Sequence, residues 1–179
     1  MADAVLLRGE GLRLTPLSLD DVNSAYLARL NDAEVNTFTE AGDVVHTLES
    51  QTAYVRATLA TDSAMMWVIR PEHDDRQLGT LRLSAINHKH RRAWMAILLD
   101  RSVWGQGVAT RSLRLAADHC LGAMGLHKLN AGIYDCHIAS RRAFEKAGFE
   151  VEAALKDHAW FNGRFIDVMQ YRRLAGTGA

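Results

Sequence analysis

Apolar residues recur along the chain with two spacings. Residues 11–16 alternate, with Leu12 and Leu14 on one face, and predict a strand. Asp20 sits near a helix start, and Val22, Ala25, Tyr26 and Leu30 follow at helical spacing. Residues 31–47 have weak periodicity and read as a loop with short turns, before a second helix at about 48–59. A short buried strand is predicted at 65–69. Residues 77–86 alternate through Leu81, Leu83 and Ala85 as a further strand, and 88–91 form a turn. Residues 93–99 are apolar at nearly every position, as expected of a central strand covered on both faces.

After Asp100 the pattern changes to a glycine turn, Trp104-Gly-Gln-Gly-Val-Ala-Thr110, followed by a helix. Leu113, Ala117, Cys120 and Met124 fall on one stripe of that helix, and Gly125 is the expected stop. Leu129, Ala131 and Ile133 alternate as a strand. Ala139, Ala143 and Ala147 lie four apart on a short helix ending at Gly148, and two more strands are expected near 150–157 and 164–173. The order predicts a mixed α/β fold with antiparallel early strands and a later parallel β–α–β crossover.

The length of 179 residues suits one domain, 1–179, with a frayed tail at 175–179, and 48% apolar residues suffice for a core. No apolar run is long enough to span a bilayer. The start, with acidic Asp3 before a run of four apolar residues, lacks the features of a secretory signal, so the expected location is cytoplasmic. Cys120 and Cys136 do not make a disulfide framework. Lys and Arg number 21 and balance 21 Asp and Glu, which argues against a non-specific nucleic-acid binder. The local cluster at 88–92, His-Lys-His-Arg-Arg, reads as decoration of an exposed hairpin.

The turn between a buried strand and an amphipathic helix carries the chemistry. Glycines allow close approach of backbone to a ligand, and the first helical turn offers unpaired N–H groups at the positive end of its dipole. Together they can make a pyrophosphate cradle, and the same pattern also suits a plain helix-starting turn. No lysine follows the second glycine, so this is not a Walker loop, and no third glycine completes a dinucleotide motif.

The turn resembles the coenzyme A pyrophosphate loop of the GNAT acetyltransferase family, whose pattern is Gln/Arg-x-x-Gly-x-Gly/Ala. Trp104 stands at the first position, Gly107 at the central glycine and Ala109 at the last small residue. The resemblance, in particular to the RimJ/RimL-like branch, continues through Ala139-Ser-Arg-Arg-Ala-Phe-Glu-Lys-Ala-Gly-Phe149 and through Phe161-Asn-Gly-Arg-Phe-Ile-Asp-Val168. It implies a GNAT fold: a mostly antiparallel mixed sheet of about seven strands, about four flanking helices, and a splay between strands 93–99 and 128–134. It implies acetyl-CoA as cosubstrate and no metal. The pantetheine arm would pair with backbone at Ile97, Leu98 and Leu99. The pyrophosphate would rest on the turn of Gly105, Gln106, Gly107, Val108, Ala109 and Thr110. Ser140 matches the family serine near the cofactor sulfur, Phe144 stands where many members carry Tyr, and His137 stands where the branch usually has Asn.

The implied activity is N-acetyl transfer to a primary amine by direct attack. A neutral amine attacks the thioester, an oxyanion forms that needs waiting donors, and a thiolate leaves. A backbone N–H near Leu98 or Leu99 is the expected donor. Trp94 replaces the strand glutamate that some members use, and Ala159 stands where some RimL-like proteins have a carboxylate, beside Asp157 and His158. The catalytic candidates are therefore His158 as base, since histidine titrates near neutrality, and Ser140 as acid for the thiolate. Ser140 also suits capping of its helix. His88 and His90 lack a third ligand for a metal, adjacent Cys136 and His137 make a poor nucleophile–base pair, and Cys120 reads as core.

The acceptor is expected to be a protein N-terminus, as the branch implies, or a small amine. Alternatives are a nucleotide-linked amino sugar and a non-catalytic acyl-CoA sensor. Balanced charge does not support a polyamine site. No nucleic-acid or membrane partner is expected, and a homodimer stays open. The substrate mouth is expected to be framed by Asn31, Asp32, Glu34, Glu40 and Asp43, by His88, His90, Arg91 and Arg92, and by Asp157 and His158. Arg91 and Arg92 would be the phosphate partners of a nucleotide sugar.

Overall fold

The computed structural model describes residues 4–40, 42 and 44–176. Asp43 and the tail residues 177–179 lie outside the described residues, while Ala175 is tied back by its N–H to the His127 carbonyl at 2.9 Å. The strands among the described residues are β1 (Leu7–Gly9), β2 (Leu12–Pro16), β3 (Met65–Pro71), β4 (Gly79–Asn87), β5 (Arg92–Leu99), β6 (Lys128–Tyr134), β7 (Glu150–Phe161) and β8 (Arg164–Leu174). All eight form one sheet in the order β1-β2-β3-β4-β5-β6-β8-β7. The described helices are α1 (Ser24–Leu30), α2 (Ala33–Asn36), α3 (Leu48–Leu59), α4 (Val108–Leu121) and α5 (Ile138–Lys146). The expected sheet of about seven strands with about four helices thus becomes eight strands and five α-helices among the described residues. The additions, β1 and α2, are only three and four residues long, too short to show a period.

Strands β1 to β5 pair antiparallel, and α4 carries the chain to β6, which lies parallel to β5. Leu113, Ala116, Ala117 and Cys120 of α4 are fully buried and pack with Leu12, Ile69, Leu81 and Leu129 of the sheet. Burial raises the Cys120 thiol pKa to about 12, so it packs as an apolar group. On another part of the sheet a smaller cluster forms from Leu17, Val22, Tyr26, Val55, Met66 and Val68. Helix α4 ends at Leu121 with Gly122 as its cap, earlier than the expected stop at Gly125.

Two features of β5 depart from expectation and shape the site. Its side chains alternate, with Ala93 and Met95 buried but Trp94 and Ala96 exposed, so it is not covered on both faces. It also pairs with β6 only over Arg92–Trp94 against Lys128–Asn130. The buried Asn130 amide donates to the Ala93 carbonyl at that vertex, at 3.1 Å. Beyond it the two strands separate, leaving the splay.

On its other side β5 is held by β4, through Gly79 opposite Leu99. A Cβ at Gly79 would meet the Leu98 carbonyl oxygen and lie 2.7 Å from a Leu99 methyl. Gly79→Ala is expected to push the end of β5 outward and destabilise the fold by about 1–3 kcal/mol, as overpacking does. A thermal melt checks this; an unchanged melting temperature would show that this end of β5 yields freely.

Candidate active site

The splayed ends of β5 and β6 open onto two cavities that share β5. The first, a cleft of about 740 Å³, is lined by Ile97, Leu98 and Leu99 of β5. The glycine turn contributes Trp104, Gly105 and Gly107, and the first turn of α4 contributes Val108, Ala109 and Thr110. The segment Cys136–Ser140 closes it from the start of α5.

Backbone direction in β5 is set by its neighbours. The Asp100 N–H donates to the Leu78 carbonyl at 2.8 Å, and the Leu98 carbonyl points at Gly79. Strand alternation then turns the Ile97 and Leu99 backbone groups toward the open gap. The Trp104 indole N–H already reaches the Leu99 carbonyl from that side, at 3.3 Å.

The cleft suits an anionic ligand. Gly105 and Gly107 have φ of 74° and 72°, the left-handed region that favours glycine. A Cβ built on either would meet nothing within 4 Å, so it would project into free space where a ligand's phosphates could lie. Gly107 caps α4 and His137 caps α5, both without a side-chain hydrogen bond to the first turn. The N–H groups of both helix starts therefore remain available to the cleft. Arg142 and Lys146 also line it. Glu34, the lining carboxylate, is ion-paired with Arg101. These features fit a coenzyme A pyrophosphate.

The second cavity, about 590 Å³, takes in Trp94, Met95 and Ala96 of β5 and Gly132 and Tyr134 of β6. Its other walls are Leu155, His158, Ala159 and Trp160 of β7, Val168 and Gln170 of β8, and Glu40. It is built by a bulge: Leu155 pairs with Val168 but Ala159 with Ile166, so Lys156, Asp157 and His158 face only Asp167. Asp157 takes φ 47°, its N–H donating to Asp167 at 3.1 Å, while Lys156 holds the same carboxylate at 2.6 Å. Strand β7 thus runs on to Phe161 rather than ending near 157, and Asn162-Gly163, at φ 49° and 79°, make the hairpin turn.

An aromatic stack connects the two cavities. Phe38 lies 4.1 Å from the His137 ring, nearly parallel to it, and 5.5 Å from Phe161, which in turn contacts Tyr134 at 5.7 Å. Burial lowers the His137 pKa, which favours the neutral ring. Burial first, then the Glu40 carboxylate, raises that of Tyr134.

Of the expected cofactor residues, Ile97, Leu98, Leu99, Gly105, Gly107, Val108, Ala109, Thr110, His137 and Ser140 line one cleft. Gln106 does not; its side chain donates to the Ser102 carbonyl at 2.8 Å. Phe144 does not either: its apolar side chain is buried against Phe149 and Tyr171. Ser140 lies inside α5 and does not cap it, since the cap is His137. The two catalytic candidates are apart, Ser140 in the cleft and His158 in the second cavity. The hairpin residues His88, His90, Arg91 and Arg92 line neither cavity; they sit at the closed end of the β5–β6 pair. Asn31 and Asp32 are engaged in local hydrogen bonds, with His46 and the start of α2. The cleft's cations, Arg142 and Lys146, were not anticipated, although their spacing from Ala139 and Ala143 puts all four on one helical face.

Comparison with known proteins agrees with this architecture. Residues 11–150 match the acetyltransferase (GNAT) domain. The probable N-acetyltransferase YjcK of Bacillus subtilis is 27% identical over 168 residues, 90% of this chain and 93% of that protein. The spermidine N(1)-acetyltransferase of Escherichia coli K12 is 33% identical over 99 residues, 55% of this chain and 53% of that protein. Among solved structures, RimL, a ribosomal L7/L12 alpha-N-protein acetyltransferase in complex with coenzyme A, superposes with a TM-score of 0.87 at 20% identity, covering 96% and 99% of the two chains. Spermidine N-acetyltransferase from Vibrio cholerae, in complex with CoA and spermine, gives 0.85 at 20% identity, covering 94% and 98%. With the domain match spanning most of the sequence and the splayed sheet in place, the chain belongs to the GNAT family of acetyltransferases.

Proposed function

We propose that this acetyltransferase moves an acetyl group from acetyl-CoA to a primary amine by direct attack. The observation that carries the reading is the β5–β6 gap, with an anion-suited cleft on one side and a second cavity on the other, both lined by β5. Acetyl-CoA in the first would supply an activated thioester carbonyl at the gap. The Leu99 N–H would donate to the carbonyl oxygen as charge builds there. His158, on the amine's side, would accept the proton that the amine must lose, directly or through water. Ser140, on the thioester's side, would give a proton to the leaving sulfur.

Among acceptors, the nucleotide amino sugar loses its support, because Arg91 and Arg92 stand away from both cavities. A protein N-terminus, the acceptor that the RimJ/RimL-like motifs favour, and a small amine both suit entry through the second cavity. The test of direct attack is intact mass. Acetyl-CoA alone should leave the protein's mass unchanged, and added amine should yield acetyl-amine and free CoA in equal amounts. An acetyl group retained on the protein, at the exposed cleft residue Cys136 above all, would contradict it.

A further inference from the structure

The lining of the second cavity points to one kind of acceptor, on the reading that this cavity receives the amine. Its only lining carboxylate is Glu40, its only other ionisable side chains are His158 and Tyr134, and no Lys or Arg lines it among the described residues. A pocket so charged attracts one cation and offers an anion no Lys or Arg. It has one carboxylate to spare, so a polyamine would bring a second ammonium with no partner.

Apart from Gln170, the rest of the lining is apolar or aromatic. Trp94, 40% exposed, lies over Gly132: a Cβ there would sit 3.8 Å from the indole and 3.5 Å from Val168. Trp160, 63% exposed, is propped edge-on by Phe165 at 5.0 Å. Two indoles presented to a cavity rather than to the core offer faces for a ring, and for the cation that accompanies it.

We propose that the acceptor is an arylalkylamine: a single primary amine joined by a short linker to an aromatic ring. The ring stacks on Trp94 and Trp160, and Glu40 receives the ammonium at the mouth before the proton is lost.

The test measures kcat/KM by thiol release at saturating acetyl-CoA. Phenethylamine and tryptamine are compared with spermidine and with a short peptide bearing a free N-terminus. The aromatic amines are expected to exceed both others at least about tenfold, and Trp160→Ala and Glu40→Gln each to raise their KM about tenfold. Both residues are exposed, so folding should survive, and KM for acetyl-CoA should not move. Preference for spermidine or the peptide, or an unchanged amine KM in both variants, would overturn the arylalkylamine assignment alone. Failure of every amine to react, while acetyl-CoA still raises the melting temperature, would overturn the transfer reading as well.

Discussion

Gly107→Val should abolish the rise in melting temperature that acetyl-CoA gives the parent protein. At a hundredfold excess over Kd, a ligand that binds only the native state stabilises it by about 2.7 kcal/mol, or roughly 5–10 °C for a chain of this size. Gly107 has φ 72° and caps α4, and its Cβ direction is empty. A valine there would fill the space where phosphates meet the N–H groups of Val108 to Thr110. Strain of about 1–2 kcal/mol also enters, because valine has no ease in the left-handed region. Gly125→Val separates the two effects. Gly125 has φ 66° and an equally open Cβ direction but lies outside the cleft. That variant should melt lower yet keep the ligand shift. A full shift in Gly107→Val would move the pyrophosphate site elsewhere.

Ser140→Ala should lower turnover about a hundredfold, the lower range for loss of one acid–base group, with little change in acetyl-CoA affinity. The geometry sharpens this expectation, since Ser140 does not cap α5 and its removal costs the helix no terminal hydrogen bond. His158→Ala should act on the other side of the gap. A base takes up the proton the amine must lose, so its removal should slow transfer about a hundredfold with acetyl-CoA affinity unchanged. A normal rate in His158→Ala would reduce His158 to a wall residue and leave water as the proton acceptor. A normal rate in Ser140→Ala would remove Ser140 as the acid and leave water to protonate the leaving sulfur.

The order of elements, the crossover and the glycine turn were legible because each follows from a local rule: period two, period 3.6, or positive φ. What stayed hidden depended on packing. The run at 93–99 is apolar on both faces, and the sequence alone cannot tell a core face from a cavity face; Trp94 and Ala96 belong to the latter. The bulge at Lys156–His158 carries no glycine to mark it, yet it is what turns β7 into a wall. Phe144 and Ser140 were placed by motif position, and only the rotation of α5 shows one buried and the other lining the cleft. The basic cluster at 88–92 drew attention by charge, while the cations that line the cleft, Arg142 and Lys146, are ordinary members of a mixed helix. Among the described residues no helix is long and apolar enough to cross a membrane.

Transfer across the β5–β6 gap requires that free thiol be released from acetyl-CoA only as amine is supplied. A panel of primary amines, with thiol followed continuously, should give release that rises with amine and saturates, and that falls sharply in Ser140→Ala. Binding of acetyl-CoA with no thiol release for any amine would contradict it, and would leave the chain as an acyl-CoA sensor built on an acetyltransferase fold.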